Sequence, residues 1–192
     1  MIPITLDPAQ TDIAVIGKGP LALRRFRQLR ELGADPLLFS EQPDEDLATE
    51  AGARLRRRRP SRKDLHALQV VWVAGLSEAD SGEIAADARA EKTLVNVEDV
   101  LPFCDFHTPA IVQRGALLLT ASTGGASPAA ARFARETLEA AFPEAWNEAL
   151  IELATARSRA RSNGVGPAAI SAEAQAILAR RGLIPGEVPA TH

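Results

Sequence analysis

A short apolar run, Ile13-Ala14-Val15-Ile16, stops at Gly17-Lys18-Gly19-Pro20-Leu21-Ala22, and this junction constrains the fold more than any other stretch. Four consecutive apolar residues ended by glycine read as a strand buried on both faces, the pattern of a parallel sheet. The Gly17-x-Gly19-x-x-Ala22 spacing then asks for a tight turn into a helix. The first glycine permits the turn, the second lets the backbone approach a pyrophosphate, and the small Ala22 lets helix and strand pack closely. A helix start of this kind offers free N–H groups to an anion.

The rest of the chain repeats the alternation. Leu21 to Leu32 carries Leu21, Phe26, Leu29 and Leu32 at helical spacing among arginines, with Gly33 placed to end the helix. Pro36 to Phe39 reads as a second strand and Asp44 to Ala51 as a short helix. The basic run Arg54-Leu55-Arg56-Arg57-Arg58-Arg59 suggests an edge strand closed by Pro60. Val70 to Ala74 is the next buried strand, Ser77 to Glu91 a helix capped by Ser77 or Asp80, and Thr93 to Val97 a further strand. Together these predict an α/β fold, a Rossmann-like doubly wound parallel sheet.

After Pro109 the character changes. Ala116 to Ser122 is an apolar strand, and Ser127 to Ala141 a helix with Ser127 as N-cap and Pro128 at its first position. Pro143 breaks it. Glu144 to Arg161 and Ser171 to Arg181 follow as helices around an Asn163–Pro167 turn, with Gly182 closing the last. Residues from Pro185 to His192 are expected to fray.

Composition narrows the function classes. A net charge of -3 in 192 residues argues against a nucleic-acid binder. A single cysteine, Cys104, permits no disulfide within the chain and suits a cytoplasmic protein. The N-terminal residues show no signal peptide, and no segment reads as a membrane span. With no tyrosine in the chain, a tyrosine acid is excluded. No Cys/His cluster has metal-ligand spacing, so no metal ligands are assigned.

The candidate functional residues fall at the ends of predicted strands. Gly17, Gly19, Pro20 and Leu21 form the nucleotide turn. Glu41, with Gln42 beside it, follows the second strand where an acid meets a ribose 2′-hydroxyl, which favours NAD over NADP, although Ser40 and nearby arginines leave NADP open. Asp99 follows the Thr93–Val97 strand, where ligands bind in open α/β sheets; it reads either as a proton-handling carboxylate or as a turn cap. Asn96 reads as a residue that orders the loop. His107 reads as a metal ligand, a proton carrier or a structural residue. Ser122-Thr123-Gly124-Gly125-Ala126-Ser127 leads into a helix start able to hold a carboxylate or phosphate, although capping alone accounts for Ser127. The arginine run is either a solvated face or a lure for a polyanion.

In combination these residues resemble the bifunctional precorrin-2 dehydrogenase/sirohydrochlorin ferrochelatase family, which also forms the N-terminal region of siroheme synthase. The likeness runs over about residues 5–145: the glycine turn, Leu32-Gly33-Ala34, Val95-Asn96-Val97-x-Asp99, Phe106-x-x-Pro109-Ala110-Ile111-Val112-x-Arg114-Gly115, and Ser122-Thr123-Gly124-Gly125-x-Ser127-Pro128 with Ala131, Arg132 and Arg135. The resemblance implies an NAD-binding domain at 1–112, a small α+β dimerisation segment at 113–143 that builds a homodimer, and a C-terminal helical domain at 144–192. It implies oxidation of precorrin-2 to sirohydrochlorin with NAD as acceptor, then insertion of Fe2+ as a substrate to give siroheme. Asp99 falls on the family's proton acceptor. Asn96, His107, Ser122, Thr123, Gly124, Gly125 and Ser127 fall in its tetrapyrrole site.

Two departures stand out. The family's polar Ala-Thr-Asp/Asn segment after the fourth strand is Ala74-Gly75-Leu76-Ser77 here. Thr123 replaces the serine that some members phosphorylate. Two other readings remain open on sequence alone: a member that oxidises precorrin-2 without inserting metal, and a non-catalytic module that senses NAD or NADH. The second would need neither Asp99 nor the Ser122–Ser127 loop.

Overall fold

The computed structural model describes residues 2–184 and divides into two compact units, Met1–Thr108 and Pro109–His192. In the first unit the elements run β1 (Ile13–Gly17), α1 (Gly19–Glu31), β2 (Leu37–Phe39), α2 (Glu45–Ala51), β3 (Leu55–Arg56), α3 (Arg62–His66), β4 (Val70–Ala74), α4 (Glu78–Ala90) and β5 (Leu94–Val97). All five strands are parallel, in the order β3-β2-β1-β4-β5. This is the expected doubly wound sheet, with its topological switch between β1 and β4.

Alternation of side chains across the pleat explains why the sheet is covered on both faces. Ile13 and Val15 of β1 join Val70 and Trp72 of β4 in one apolar cluster, with Phe26 and Leu29 of α1 and Leu47 of α2. Ala14 and Ile16 of β1 join Val71 and Val73 of β4 in the other, with Leu65 of α3 and Ile84, Ala85 and Ala88 of α4. A strand buried on both sides needs an unbroken apolar run, which is what β1 and β4 carry.

The local signals mostly hold. Gly33 takes φ 86 just past α1, Asp44 caps α2 through the Leu47 amide, and Ser77, not Asp80, caps α4 by accepting from the Asp80 amide. The arginine run does contain an edge strand, but only Leu55 and Arg56 pair with β2. Helix α3 has no apolar periodicity to betray it. It is one short turn started by a Ser61–Asp64 capping box.

The second unit holds an antiparallel hairpin, β6 (Ala110–Arg114) and β7 (Leu117–Ala121), then helices α5 (Pro128–Ala141), α6 (Trp146–Ser162) and α7 (Pro167–Arg180). The sequence pattern predicts no strand at β6. Its Ala-Ile-Val-Gln-Arg sequence looks like strand only once its partner β7 is in register beside it. The hairpin turns through Gly115 at φ 58, a position glycine accepts without cost. A domain boundary at 112/113 would cut β6, whereas the units part at Thr108 and Pro109. α7 begins four residues earlier than the sequence suggests, because Pro167 serves as a first-turn residue instead of a breaker. α6 and α7 are joined by ion pairs from Arg159 to Glu173 and from Arg180 and Arg181 to Glu152. The expected fraying of Pro185–His192 concerns residues outside those described. No described helix is long and apolar enough to cross a membrane.

Candidate functional site

At the switch point two glycines interlock. The Lys18 amide donates to the Ala74 carbonyl at 3.2 Å, tying the turn after β1 to the end of β4. A Cβ on Gly17 would stand 1.8 Å from the Ala74 oxygen, and a Cβ on Gly75 would stand 2.1 Å from the Lys18 oxygen. Gly75, which departs from the resembled pattern, is therefore required by this close approach. Gly19 differs from both. It adopts φ 69, and a Cβ there would meet nothing within 4 Å. The free space lies at the start of α1, where Lys18 gives no side-chain cap and no acid occupies the first turn. Unsatisfied N–H groups and the positive end of the helix face that space.

A cavity of about 120 Å³ opens beside this turn, lined among others by Gly17, Lys18, Ser40, Glu41, Gln42 and Arg58. The expected residues Gly17, Glu41 and Gln42 thus share one pocket. Pro20 and Leu21 are exposed on the first turn of α1. Ser40 is only 3% exposed, and its Oγ has no hydrogen-bond partner among the described residues. A dinucleotide fits these groups: the open helix start for a pyrophosphate, and the Ser40 hydroxyl and Glu41 carboxylate for a ribose.

Arg58 and Arg59 also line the cavity, where the sequence suggests only unspecified arginines near the ribose site. The available signal was register. Phe39 pairs with Arg56 across parallel strands, so residues just beyond each lie side by side. These arginines are not a free cationic patch. Arg58 makes two bonds to Asp64, at 2.6 and 2.8 Å, and lies over the Phe39 ring. Arg59 pairs with Glu83, and Arg54 with Asp35. Charges already matched in this way draw a polyanion weakly.

The Arg58 bonds hold the Asp64 carboxyl well below the usual carboxylate range, with the Ser61 bonds adding to them against burial. An unfolded chain then binds the proton more readily than the native one. The resulting stability is complete above the ordinary Asp value of about 3.9 and is lost as pH falls below it. Urea midpoints should therefore drop between pH 5 and pH 3, and Asp64→Asn should flatten that slope. An unchanged slope in the variant would show that other carboxylates carry it.

At the carboxyl end of β5 lie Asn96, Glu98 and Asp99. Asn96 is buried and donates its side-chain amide to the Phe106 carbonyl at 2.7 Å, so it braces the loop. Cys104 Sγ donates to the Val97 carbonyl and accepts from the Val97 amide. Burial pushes its thiol up. Asp99 is exposed and takes φ 64, a left-handed conformation that few residues other than glycine, Asn and Asp adopt. Burial pushes Glu98 up, but bonds from Arg25 and then Arg24 outweigh it and hold its carboxyl below the usual range. β5 lies two strands from β1 in a parallel sheet, so Asp99 and the nucleotide turn share one edge, about 10 Å apart across the strands. His107 is half-buried in the loop, next to Thr108, whose Oγ1 accepts from Trp72 Nε1 at 3.0 Å.

Ser122, Thr123, Gly124, Gly125 and Ser127 belong to the second unit. There they form a self-braced turn. Ser122 Oγ accepts from the Gly124 amide, and Thr123 Oγ1 accepts from the Ser127 amide and donates to the Ser127 carbonyl. Gly124 and Gly125 take φ 64 and 87, which accounts for the paired glycines. Ser127 caps α5 through the Ala130 amide. Among the described residues no group of three His, Cys, Asp or Glu side chains stands ready to hold a metal ion.

Residues 4–110 match a family model described as "Putative NAD(P)-binding". Relatives include siroheme synthases from Pseudoalteromonas atlantica, 32% identical over 74% of this chain and 31% of the relative, and from Nitrosococcus oceani, 30% identical over 86% and 36%. A third, from Pseudomonas putida, is 36% identical over 71% of this chain and 30% of the relative. The chain thus spans about a third of the curated relatives it matches. Among solved structures, "SirC, precorrin-2 dehydrogenase" shares the fold with a TM-score of 0.71 at 23% identity, covering 94% of this chain and 92% of that one.

Proposed function

The chain belongs to the NAD(P)-binding family found at the N-terminal region of siroheme synthases, and from that premise we propose that it is an NAD-dependent precorrin-2 dehydrogenase. The observation that carries this reading is the pairing, on one sheet edge, of an open nucleotide cradle with an exposed left-handed Asp99. A non-catalytic sensor needs the cradle but not that aspartate.

When bound, NAD+ supplies the hydride acceptor. The chain's own residues do the rest. The helix start at Gly19 and the Ser40–Gln42 segment hold the dinucleotide. The Asp99 carboxylate Oδ atoms take the proton that precorrin-2 releases as it becomes sirohydrochlorin. Asn96 keeps the loop around Asp99 and His107 in place. The hydroxyls of Ser122 and Ser127, which accept but do not donate within their turn, offer donors to the substrate's carboxylates. Fe2+ enters as a substrate in a second step, with Asp99 again accepting protons. The protein acts as a cytoplasmic homodimer. α5 supports the dimer, since it buries none of its residues within the chain and leaves Phe133 60% exposed. The mass in solution by light scattering tests that part.

The deciding experiment mixes the purified protein with precorrin-2 and NAD+ and follows the visible spectrum and NADH. Sirohydrochlorin and NADH should form together, and Fe2+ added to the same cuvette should give siroheme. NAD+ binding without turnover would leave the sensor reading in possession. Conversion that stops at sirohydrochlorin would mark a dehydrogenase without chelatase activity.

Glu41 sets the preference for NAD+. Its carboxylate would repel a 2′-phosphate. Glu41→Ser should raise the NADP+ to NAD+ ratio of kcat/KM at least about tenfold, since like charges a few ångströms apart cost a few kcal/mol near a protein surface. No change in the ratio would remove Glu41 from the ribose site.

A further inference from the structure

The turn after β5 contains a buried ion pair that the proposed chemistry does not use. Glu98 donates its amide to the Val73 carbonyl at 2.9 Å, which continues the β4–β5 ladder. Its carboxylate is 10% exposed and accepts from Arg25 Nη2 at 2.8 Å and from Arg24 Nη2. Arg25 is itself 11% exposed and gives Nη1 to Gln28 Oε1 at 2.7 Å. Both arginines belong to α1, the helix whose first turn forms the nucleotide cradle. The residue after Glu98 is Asp99, held at φ 64.

Desolvating a carboxylate and a guanidinium costs several kcal/mol each, and their attraction repays this only in good geometry. Apolar residues of similar size often stabilise as well or better. The pair is therefore poorly explained as a stabiliser. What it does is fix direction. Arg24 is 65% exposed and contributes little, so Arg25 bears the connection. The left-handed Asp99 is pinned from both sides, by the Glu98 amide on β4 and by the Val100 amide, which donates to the Val97 carbonyl. A residue kept in a sparsely populated conformation persists where its surroundings over-determine it.

We propose that Glu98 is a positioning residue: by holding Arg25 it ties the Asp99 turn to the helix that carries the nucleotide cradle, so that the Asp99 carboxylate meets the substrate in one orientation. This rests on the dehydrogenase reading above. On this reading Arg25 and Glu98 act through the turn, not on the cofactor or the substrate.

The test compares the wild type with Glu98→Gln and with the double variant Arg25→Met/Glu98→Met. Each is measured for melting temperature, NAD+ affinity, kcat and KM for precorrin-2, and amide exchange at Val100. Glu98→Gln should lose about tenfold or more in kcat, in line with the cost of small misplacements, while the Kd for NAD+ stays within about twofold. Its Val100 amide should exchange about tenfold faster. The double variant should recover the melting temperature, because an apolar pair replaces the ionic one, yet keep the low kcat. Recovery of kcat along with the melting temperature would show the pair to be merely structural and overturn the proposal. So would wild-type kcat and exchange in Glu98→Gln. A wild type that binds NAD+ but does not oxidise precorrin-2 would instead overturn the dehydrogenase reading, and the proposal with it.

Discussion

Asp99→Asn is expected to lower the rate of precorrin-2 oxidation by ~10²–10⁴, the usual contribution of a positioned acid–base group, while NAD+ affinity changes less than about twofold. The choice of asparagine follows from the backbone. Asp99 stands at φ 64, a conformation that asparagine shares with aspartate at little cost, whereas alanine pays about 1–2 kcal/mol for it. Asp99→Ala would therefore mix lost proton chemistry with a disturbed turn. Asparagine removes only the carboxylate's ability to take a proton. Stopped-flow NADH formation with saturating cofactor gives the rate, and fluorescence titration gives the affinity. A variant with wild-type turnover would take the proton-acceptor role away from Asp99. A large loss of NAD+ binding would mean that the turn supports the nucleotide rather than the chemistry.

The second large effect separates three glycines that look alike on paper. Gly17→Ala and Gly75→Ala should each destabilise the first unit by at least about 3 kcal/mol, because backbone must move where side chains cannot. The added methyl groups would lie 1.8 Å from the Ala74 oxygen and 2.1 Å from the Lys18 oxygen. For a chain of this size, melting should fall by roughly 6–12 °C. Gly19→Ala has open space around its Cβ and pays only for its positive φ, about 1–2 kcal/mol. It should nonetheless lose most of its NAD+ affinity, since the methyl group occupies the approach to the helix start. Calorimetry and nucleotide titration on the three variants would show the split. If Gly19→Ala binds NAD+ normally, the pyrophosphate does not rest there.

What could be read in advance depended on how local the cause is. The apolar runs of β1 and β4, the Ser127-Pro128 start of α5 and Gly33 after α1 each act within a few residues, and the chain alone determined them. Burial on both faces needs a continuous apolar strand, and a helix start needs a cap, wherever they occur. The doubly wound sheet follows from their alternation and a connection rule of fixed hand. Gly17 and Gly19 were legible for the same reason, as was Asp99 as a residue past a strand end.

The rest needed partners distant in sequence. α3 is too short for a period, and β6 becomes a strand only beside β7. The arginine run reads as one basic patch, but tertiary contacts set Arg54, Arg58 and Arg59 against Asp35, Asp64 and Glu83 and put Arg58 and Arg59 at the cavity wall. Gly75 departs from the resembled pattern for a reason only the fold shows, the Lys18 carbonyl that lies against it. Glu98 could not be distinguished from any exposed acid until α1 brought Arg25 to it across 73 residues. The sequence by itself determined most of the elements, the nucleotide turn and the sheet that joins them, because those depend on neighbours in the chain. Only the tertiary structure decided which charges are matched, which glycines are forced and how the Asp99 turn is held, because those depend on distances between segments that no spacing along the chain encodes.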